Sequence, residues 1–574
     1  MAVRGRWREC LVVCGLVLGL AAAPVRAQDT GTVSGTVVDS QGAAIPGATV
    51  TLTEERTGTA RTITSDAHGE FAFRSVTPGS YTIRVELTGF RSFEKRSNVL
   101  NASGQLDLGK VRLDVGNLTE VITVESQGSV VETKNSDYTG LLTSNQIAQI
   151  QTKGRDVMSL LRLLPGVRYE DDIEAMGESF GSQVPNVGGQ RRQWNQVTVD
   201  GLNGNELSGT SRFASATNLD AIAEVKVMLG SYKAEDGRSG GANVKIVTKS
   251  GGMHYNGSAY YYARRQQWNA NTWDNKRNHL PVPIYHYDTY GVNVGGPVKV
   301  PGLFNQSNEK KLFFFYSMEN PQAAQPGSVR KYLMPTALER QGDFSQTLDS
   351  GGRLIVIRDP VSGQAFFGNV VPKDRINPNT LAIMNMLPLP NRLDRSETGG
   401  LYNFVRQETP DKPRINHVLK MDWRRSAQDN FYATLNSFTS VQKGSEITAG
   451  PEKWGFFNGK YDFGNVFLAL GHHHIFGTNL VNELYGGVRR QTEGFGTATD
   501  ADLNRITRSN IGFNVGQFHP ELNPMNIMPK FTLGLGNSGA NVSNTNFTFD
   551  DRLGETDHDW LTTGSRRRPR RSRG

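Results

Sequence analysis

After residue 27 no stretch of this 574-residue chain is long and apolar enough to cross a bilayer as a helix, which takes about 20 residues. From His254 onward, however, short aromatic-rich runs follow one another: YNGSAYYYARR, YDTYGVNVGGPV, KKLFFFYSME, INHVLKMDWR, DNFYATLNSF, GNVFLALGHHHIF and NLVNELYGGVRR. In an extended strand successive side chains point to opposite faces. Tyr290, Val292 and Val294 then share one face and Thr289, Gly291 and Asn293 the other, while Leu419, Met421 and Trp423 alternate with Val418, Lys420 and Asp422. Strands of about ten residues with one apolar face, one polar face and aromatic ends fit a barrel wall that has lipid outside and a polar lumen inside. If the chain enters a membrane, it does so as strands.

Residues 1–27 read as a cleaved secretory signal: Arg4, Arg6 and Arg8, the apolar run CLVVCGLVLGLAAA, then VRA with Val25 and Ala27 as the small residues before the cut. Both cysteines, Cys10 and Cys14, fall inside it, so the mature chain has no disulfide and no thiolate metal site. The formal charge of +8 suggests nucleic acid at first sight. Residues 1–27 contribute four Arg against one Glu, and residues 564–574 contribute six Arg, which leaves the chain between them at −1. No nucleic-acid partner is expected of such a body.

Residues 28–116 carry five short strand-like runs about ten residues apart, TVSGTVVDS, GATVTLTEE, ARTITSD, GEFAFRSV and GSYTIRVEL, separated by turn residues, which is the spacing of a small antiparallel sandwich. Phe71 and Phe73, and likewise Tyr81, Ile83 and Val85, alternate onto one face. The letters GTVVDSQGAAIPGATVTL and TSDAHGEFAFRSVTPGSYTIRVELTGF resemble the carboxypeptidase-regulatory-like domain, a prealbumin-like sandwich, at Gly35, Pro46, Gly47, Asp66, Gly69, Phe71, Pro78, Gly79 and Tyr81. His68 lies in a turn and is not expected to bind metal.

The segment NLTEVITVESQG, residues 117–127 with Gly128, is extended and has no turn of its own, so it is suited to joining the edge of another sheet. Residues 128–252 then bring a helical region at 144–166 with Val157, Leu160, Leu161 and Leu164 on its apolar side and a stop at Pro165–Gly166. The strand VTVDG, the strand EVKVMLG, a glycine-rich turn and ANVKIVTKSG follow in order. This succession resembles the plug domain of TonB-dependent outer-membrane receptors. Under that resemblance Glu120, Val121, Ile122, Thr123 and Val124 look like the TonB box. The plainer reading is that they finish the sandwich or start the plug sheet. Asp200–Gly201 would make the plug strand's turn, and Gly188, Gly189 and Gln190 would belong to the loop feeding it; a catalytic Gly-Gly-Gln has no use in an exported chain.

Residues 253–563 would form part of a barrel, with a long connection at about 321–410, rich in Pro, Gly and Asn, read as an unstructured functional surface loop. Its phrases PTALERQGDFS, VIRDPVSGQAF and NVVPKDRINP resemble the large loop of the Oar-like branch of these receptors. Plugged transporter barrels close with roughly 22 strands, and seven candidates are counted here. The Arg-rich tail 564–574 is read as an aberrant continuation of the kind a frame shift produces, the alternative being a genuine basic tail for acidic surfaces.

The expected fold is therefore mainly β: a prealbumin-like sandwich, a small α+β plug, and the first part of an antiparallel transmembrane barrel. Uptake of a large or scarce ligand, energised by TonB and its inner-membrane complex, is what the resemblance implies, with outer-membrane lipid as the other partner and the ligand unidentified. Two alternatives stay open, a barrel-anchored surface protein binding carbohydrate or peptide, and a non-functional truncated receptor. No paired catalytic constellation, phosphate loop or cofactor motif occurs, so no enzyme and no cofactor are expected. Of His472, His473 and His474 only the first and last can share a strand face, no third ligand is identifiable from the sequence, and no metal site is expected.

Overall fold

The computed structural model describes residues 30–116, 121–125, 138–150, 152, 154–169, 182–206, 212–230, 240–302, 305, 311–324, 326–327, 329–445, 455–477, 480–529, 532–534 and 541–543. The leader at 1–27, Glu120 and the tail at 564–574 lie outside the described residues.

The first unit is a two-sheet sandwich. Strands β1 (Gly31–Val38), β4 (Glu70–Val76) and β7 (Gln105–Arg112) form one sheet in the order β4-β1-β7. Strands β2 (Thr49–Glu54), β3 (Ala60–Thr64), β5 (Gly79–Glu86) and β6 (Ser92–Leu100), with β8 (Val121–Glu125) at the edge, form the other in the order β3-β2-β5-β6-β8. Phe71, Phe73, Tyr81, Ile83 and Val85 are buried between the sheets, on the face that their alternation assigns.

The second unit is a five-stranded sheet in the order β11-β10-β13-β12-β9, built from β9 (Tyr138–Thr143), β10 (Gln196–Val199), β11 (Leu202–Asn203), β12 (Ile222–Gly230) and β13 (Asn243–Thr248). Strand β10 runs parallel to β13 and antiparallel to β11. The single helical region expected at 144–166 is not continuous. It consists of α1 (Ser144–Gln149), then α2 (Val157–Leu160), which passes into a 3-10 turn at Leu161–Leu163. Arg155 has φ +55, outside the helical region, and the Asp156 side chain accepts a hydrogen bond from the Met158 amide and so starts a new helix. Val157, Leu160 and Leu161 still enter the sheet's apolar core, and Phe467 and Ala469 of the third unit close that core from outside.

The third unit is a seven-stranded antiparallel sheet joined neighbour to neighbour: β14 (Asn256–Arg265), β15 (His286–Pro297), β16 (Leu312–Ala324), β17 (Arg414–Arg424), β18 (Asp429–Gly444), β19 (Gly459–Ile475) and β20 (Val481–Thr497). These are the seven runs read from the alternation. Their polarity is inverted relative to a soluble sheet. Val292, Val294, Leu435, Val466 and Leu470 are exposed on one face, whereas Thr289, Thr434, Asn436, Asn465 and Gln491 are buried on the other, interspersed with Phe315, Phe438, Phe463 and Phe467. Apolar side chains turned outward and polar ones turned in are what a lipid-facing wall requires.

The connection between β16 and β17 corrects the expectation of an unstructured loop. Residues Arg330–Tyr332 pair with Phe404–Arg406, a helix spans Pro378–Met386 behind an Asn377 cap, and Tyr332, Met334, Leu387 and Phe404 form a small core of their own. Pro, Gly and Asn here make turns and caps within a folded insert: the Asn369 side chain alone holds the backbone carbonyls of Phe344 and Ile355 and the amide of Ile357.

Candidate functional site

The richest polar chemistry lies along the seam between plug and wall. At the β10–β11 turn Asp200 takes φ +45 and Gly201 φ +84. Asp is among the few side chains that tolerate this left-handed region, and its short carboxylate is here needed elsewhere. One oxygen of Asp200 accepts from the Thr248 amide at 3.0 Å and from Lys420 Nζ at 3.2 Å; the other accepts from Thr248 Oγ1 at 2.5 Å and Thr434 Oγ1 at 2.8 Å. Lys420 stands on β17 and Thr434 on β18, so the turn is locked to two wall strands, and both members of the ion pair are buried. Burial alone would raise the Asp200 carboxyl, but Lys420 and the Thr248 and Thr434 donors outweigh it and hold the group below its ordinary range. At Gly201 an added Cβ would sit 3.4 Å from the ring of Tyr485 on β20, so the turn also seats flat against the wall.

Three further contacts repeat the theme. Arg489 of β20 donates to Asn465 Oδ1 at 2.6 Å and to the backbone oxygens of Asn203 and Asn205. The Asn218 amide side chain joins Asn416 of β17 at 2.8 Å and accepts from Ser317 of β16 at 3.0 Å, while Asn436 of β18 donates to Thr217 at 2.9 Å. Arg155, the residue that breaks the helix, donates to Glu319 at 2.8 Å and pairs with Asp220, with its guanidinium 4.7 Å from the rings of both Tyr260 and Tyr262. Sequence reading missed Lys420, Arg155 and Arg489. Lys420 and Arg489 are marked by a charge on an inward strand position, whereas Arg155 lies in the plug between α1 and α2 and has no such mark.

A cavity of about 40 Å³ remains at this seam, lined by Arg155, Asn218, Glu319, Arg414 and Asn416 among others. That is room for a few waters, against the roughly 300–1,000 Å³ of a small-molecule pocket.

Gly188 and Gly189 have φ +58 and +76 and form the turn that delivers Gln190 to the 3-10 turn Arg192–Trp194 and then to β10. Gln190 donates its amide to the Val187 carbonyl at 3.0 Å, and the Arg192 side chain reaches Asn186.

Strand β8, which contains Val121 to Val124, lies parallel to β6 with Ser92 opposite Val121, Phe93 opposite Ile122 and Lys95 opposite Val124. The same sandwich is fastened to the plug and to the strand ends of the wall. Glu54 accepts from Arg424 at 2.6 Å, Glu483 accepts from Thr30 at 2.7 Å, Lys245 of the plug donates to Ser103 at 3.0 Å, and Glu224 accepts the Ala102 amide. Burial raises the Glu54 carboxyl, and the neighbouring Arg424 and Arg56 more than reverse this, leaving it below the ordinary carboxylate range.

Comparison with known proteins places each unit. Residues 247–557 match the family described as outer membrane beta barrel domain, residues 32–114 the carboxypeptidase regulatory-like domain, and residues 134–244 the TonB-dependent receptor plug domain. The TonB-dependent transporter Oar of Myxococcus xanthus is 26% identical over 326 residues, covering 53% of this chain and 28% of that protein. Among solved structures, the outer membrane transporter YddB of Escherichia coli is 11% identical with a TM-score of 0.39, over 63% of this chain and 40% of that one. The siderophore receptor PirA of Acinetobacter baumannii is 12% identical with a TM-score of 0.36, over 62% and 40%. The chain thus spans less than half the length of each of these relatives.

Proposed function

Because the chain belongs to the outer-membrane β-barrel family of TonB-dependent receptors, with a carboxypeptidase regulatory-like domain ahead of its plug, we propose that it serves TonB-energised uptake of a large or scarce ligand. It reaches the membrane through the leader at 1–27, and residues Glu120 to Val124 are the segment that TonB takes. Uptake of this kind is mechanical. Ligand binds from outside, the plug shifts, and a pull on the box completes the opening; no covalent step is required.

The observation that carries the reading is the coupling of an edge strand to a latched plug. Strand β8 is held to the sandwich along its backbone at a sheet edge, the pairing that a partner's strand can replace. A connection of twelve residues, 126–137, joins it to β9, an outer strand of the plug sheet. That sheet is tied to the wall by Asp200, Arg489 and Asn218, and a cavity of about 40 Å³ among the described residues at the seam has room for water. On this reading passage moves the plug, and the polar ties among its contacts with the wall can be exchanged for water. The folded insert between β16 and β17, at the wall end opposite the sandwich, lies where an external ligand arrives first.

The test is deletion of residues 120–124 in the full chain expressed in its own host. Ligand-dependent uptake should vanish while the protein stays in the outer membrane, and cysteine at position 122 should crosslink to TonB. If surface binding were the whole activity, the deletion would leave the phenotype unchanged, and that result would overturn the proposal.

A further inference from the structure

Three consecutive histidines near the end of β19 divide between the two faces of the wall. His473 points inward and is buried against Tyr432, whereas His472 and His474 point outward and are partly exposed. The register of β18 on β19 sets Asp429 opposite His474 and Phe431 opposite His472, which carries one carboxylate to the gap between the two outward imidazoles. This is the third ligand that spacing along the sequence could not supply, since it lies 43 residues from His472 and arrives by strand pairing alone.

We propose that Asp429, His472 and His474 form a binding site for one divalent transition-metal ion of the zinc class on the outer surface of the wall, at the end nearest the sandwich. Asp429 Oδ1 lies 3.0 Å from His472 Nε2 and 2.7 Å from His474 Nδ1, and the three donor atoms all fall within 4.8 Å of one another. Modest side-chain rotation brings such a set to the roughly 2.0–2.2 Å bonds that zinc makes with imidazole and carboxylate, with a fourth position left for water. The surroundings hold the ligands in place. Ser426 Oγ donates to the other Asp429 oxygen at 3.2 Å, which turns Oδ1 toward the histidines, a supporting bond of the kind that orients metal ligands. His472 stacks on Phe431 at 4.2 Å with the rings 8° apart, and His474 meets the edge of Phe476 at 4.3 Å. Each imidazole bonds the carboxylate through the nitrogen that would take the ion; moving that N–H to the other ring nitrogen frees the lone pair without loss of a proton. Two nitrogens and one oxygen suit zinc, nickel or copper and give magnesium and calcium little.

The experiment uses the full chain without a histidine tag, in detergent micelles, titrated calorimetrically with zinc and with magnesium. One saturable zinc equivalent and no magnesium binding are expected. Affinity should fall at least tenfold in Asp429→Asn, His472→Asn and His474→Asn, and stay unchanged in His473→Asn, whose ring faces the lumen. Circular dichroism of each variant reports that the strands persist, and the copper spectrum of the unaltered protein should show two coordinated nitrogens. Absence of a saturable equivalent, a copper site with no nitrogen, or a loss in His473→Asn equal to that of its neighbours would overturn the assignment.

Discussion

The interior of the sandwich and the seam between plug and wall are both buried, yet they are made of different material. Phe73, Ile83, Val85 and Leu100 belong to one continuous apolar core in the first. In the second, apolar contacts such as Phe467 on the plug core and Phe315 on Ala221 are interspersed with Asp200, Lys420, Thr434, Asn436 and Arg489, equally hidden from solvent and joined by hydrogen bonds and an ion pair. Apolar burial is lost outright when a surface opens, whereas a polar contact is exchanged for one with water at a small net difference. The sandwich is held by apolar burial, whereas the seam adds to its apolar contacts a set of polar ties that water can replace.

That contrast can be tested by breaking each side. Phe73→Ala should cost the sandwich about 3–5 kcal/mol, read as a lower denaturant midpoint for the protease resistance of residues 31–112, and no polar substitution nearby should restore it. Lys420→Met leaves Asp200 buried without its cation and should loosen the plug by about 3 kcal/mol, seen as faster hydrogen exchange at Gln196–Val199. Adding Asp200→Asn to that variant should return most of the loss, because removing both charges removes the uncompensated one. Failure of the double variant to recover would mean that geometry at the turn, and not charge, holds the seam.

Acid provides a finer probe. Since the folded Asp200 carboxyl lies below its ordinary value, the stability it contributes is fully present above the unfolded pKa of about 3.9 and is lost as pH falls below that toward the folded value. Exchange at β10 attributable to this group should therefore be flat from pH 5 to 8 and rise only in strong acid; a rise near pH 6 would point to a different group. Gly201→Ala, which forces a Cβ into φ +84 beside Tyr485, should cost about 1 kcal/mol in the same assay. Smallest of all should be the cost of freeing β8, which has one neighbour: its amides should exchange within about tenfold of the unstructured rate, far faster than those of β10.

Much of this architecture was legible in the sequence. The seven wall strands follow from the two-residue period, because a wall with lipid on one side and a wet lumen on the other must alternate. The sandwich follows from its turn spacing, with Phe71 and Phe73 falling inside as their alternation requires. Partnership across space was not legible. Nothing near Arg155 announces Glu319, 164 residues away, and only the strand register sets Asp429 beside His474. The break in the helical region at Arg155 was equally hidden, since apolar periodicity on either side of it is satisfied by two short helices as well as by one long one. The insert between β16 and β17 misled for another reason: Asn369 and Asn377 are turn formers in disordered and in folded loops alike, and only the apolar residues Tyr332, Met334, Leu387 and Phe404, scattered over more than 70 positions, distinguish the two.

The distribution of the seam's ties has a kinetic consequence. Asp200, Asn218 and Arg155 of the plug and Arg489 of the wall tie the two together at separate points on β16, β17, β18 and β20, with water able to enter between them. A plug held this way need not cross one barrier as high as the sum of its bonds. Each tie can slip and be rehydrated in turn, so the rate of movement is governed by the single costliest step, and a modest steady force acts on the interface as it would on a lubricated bearing.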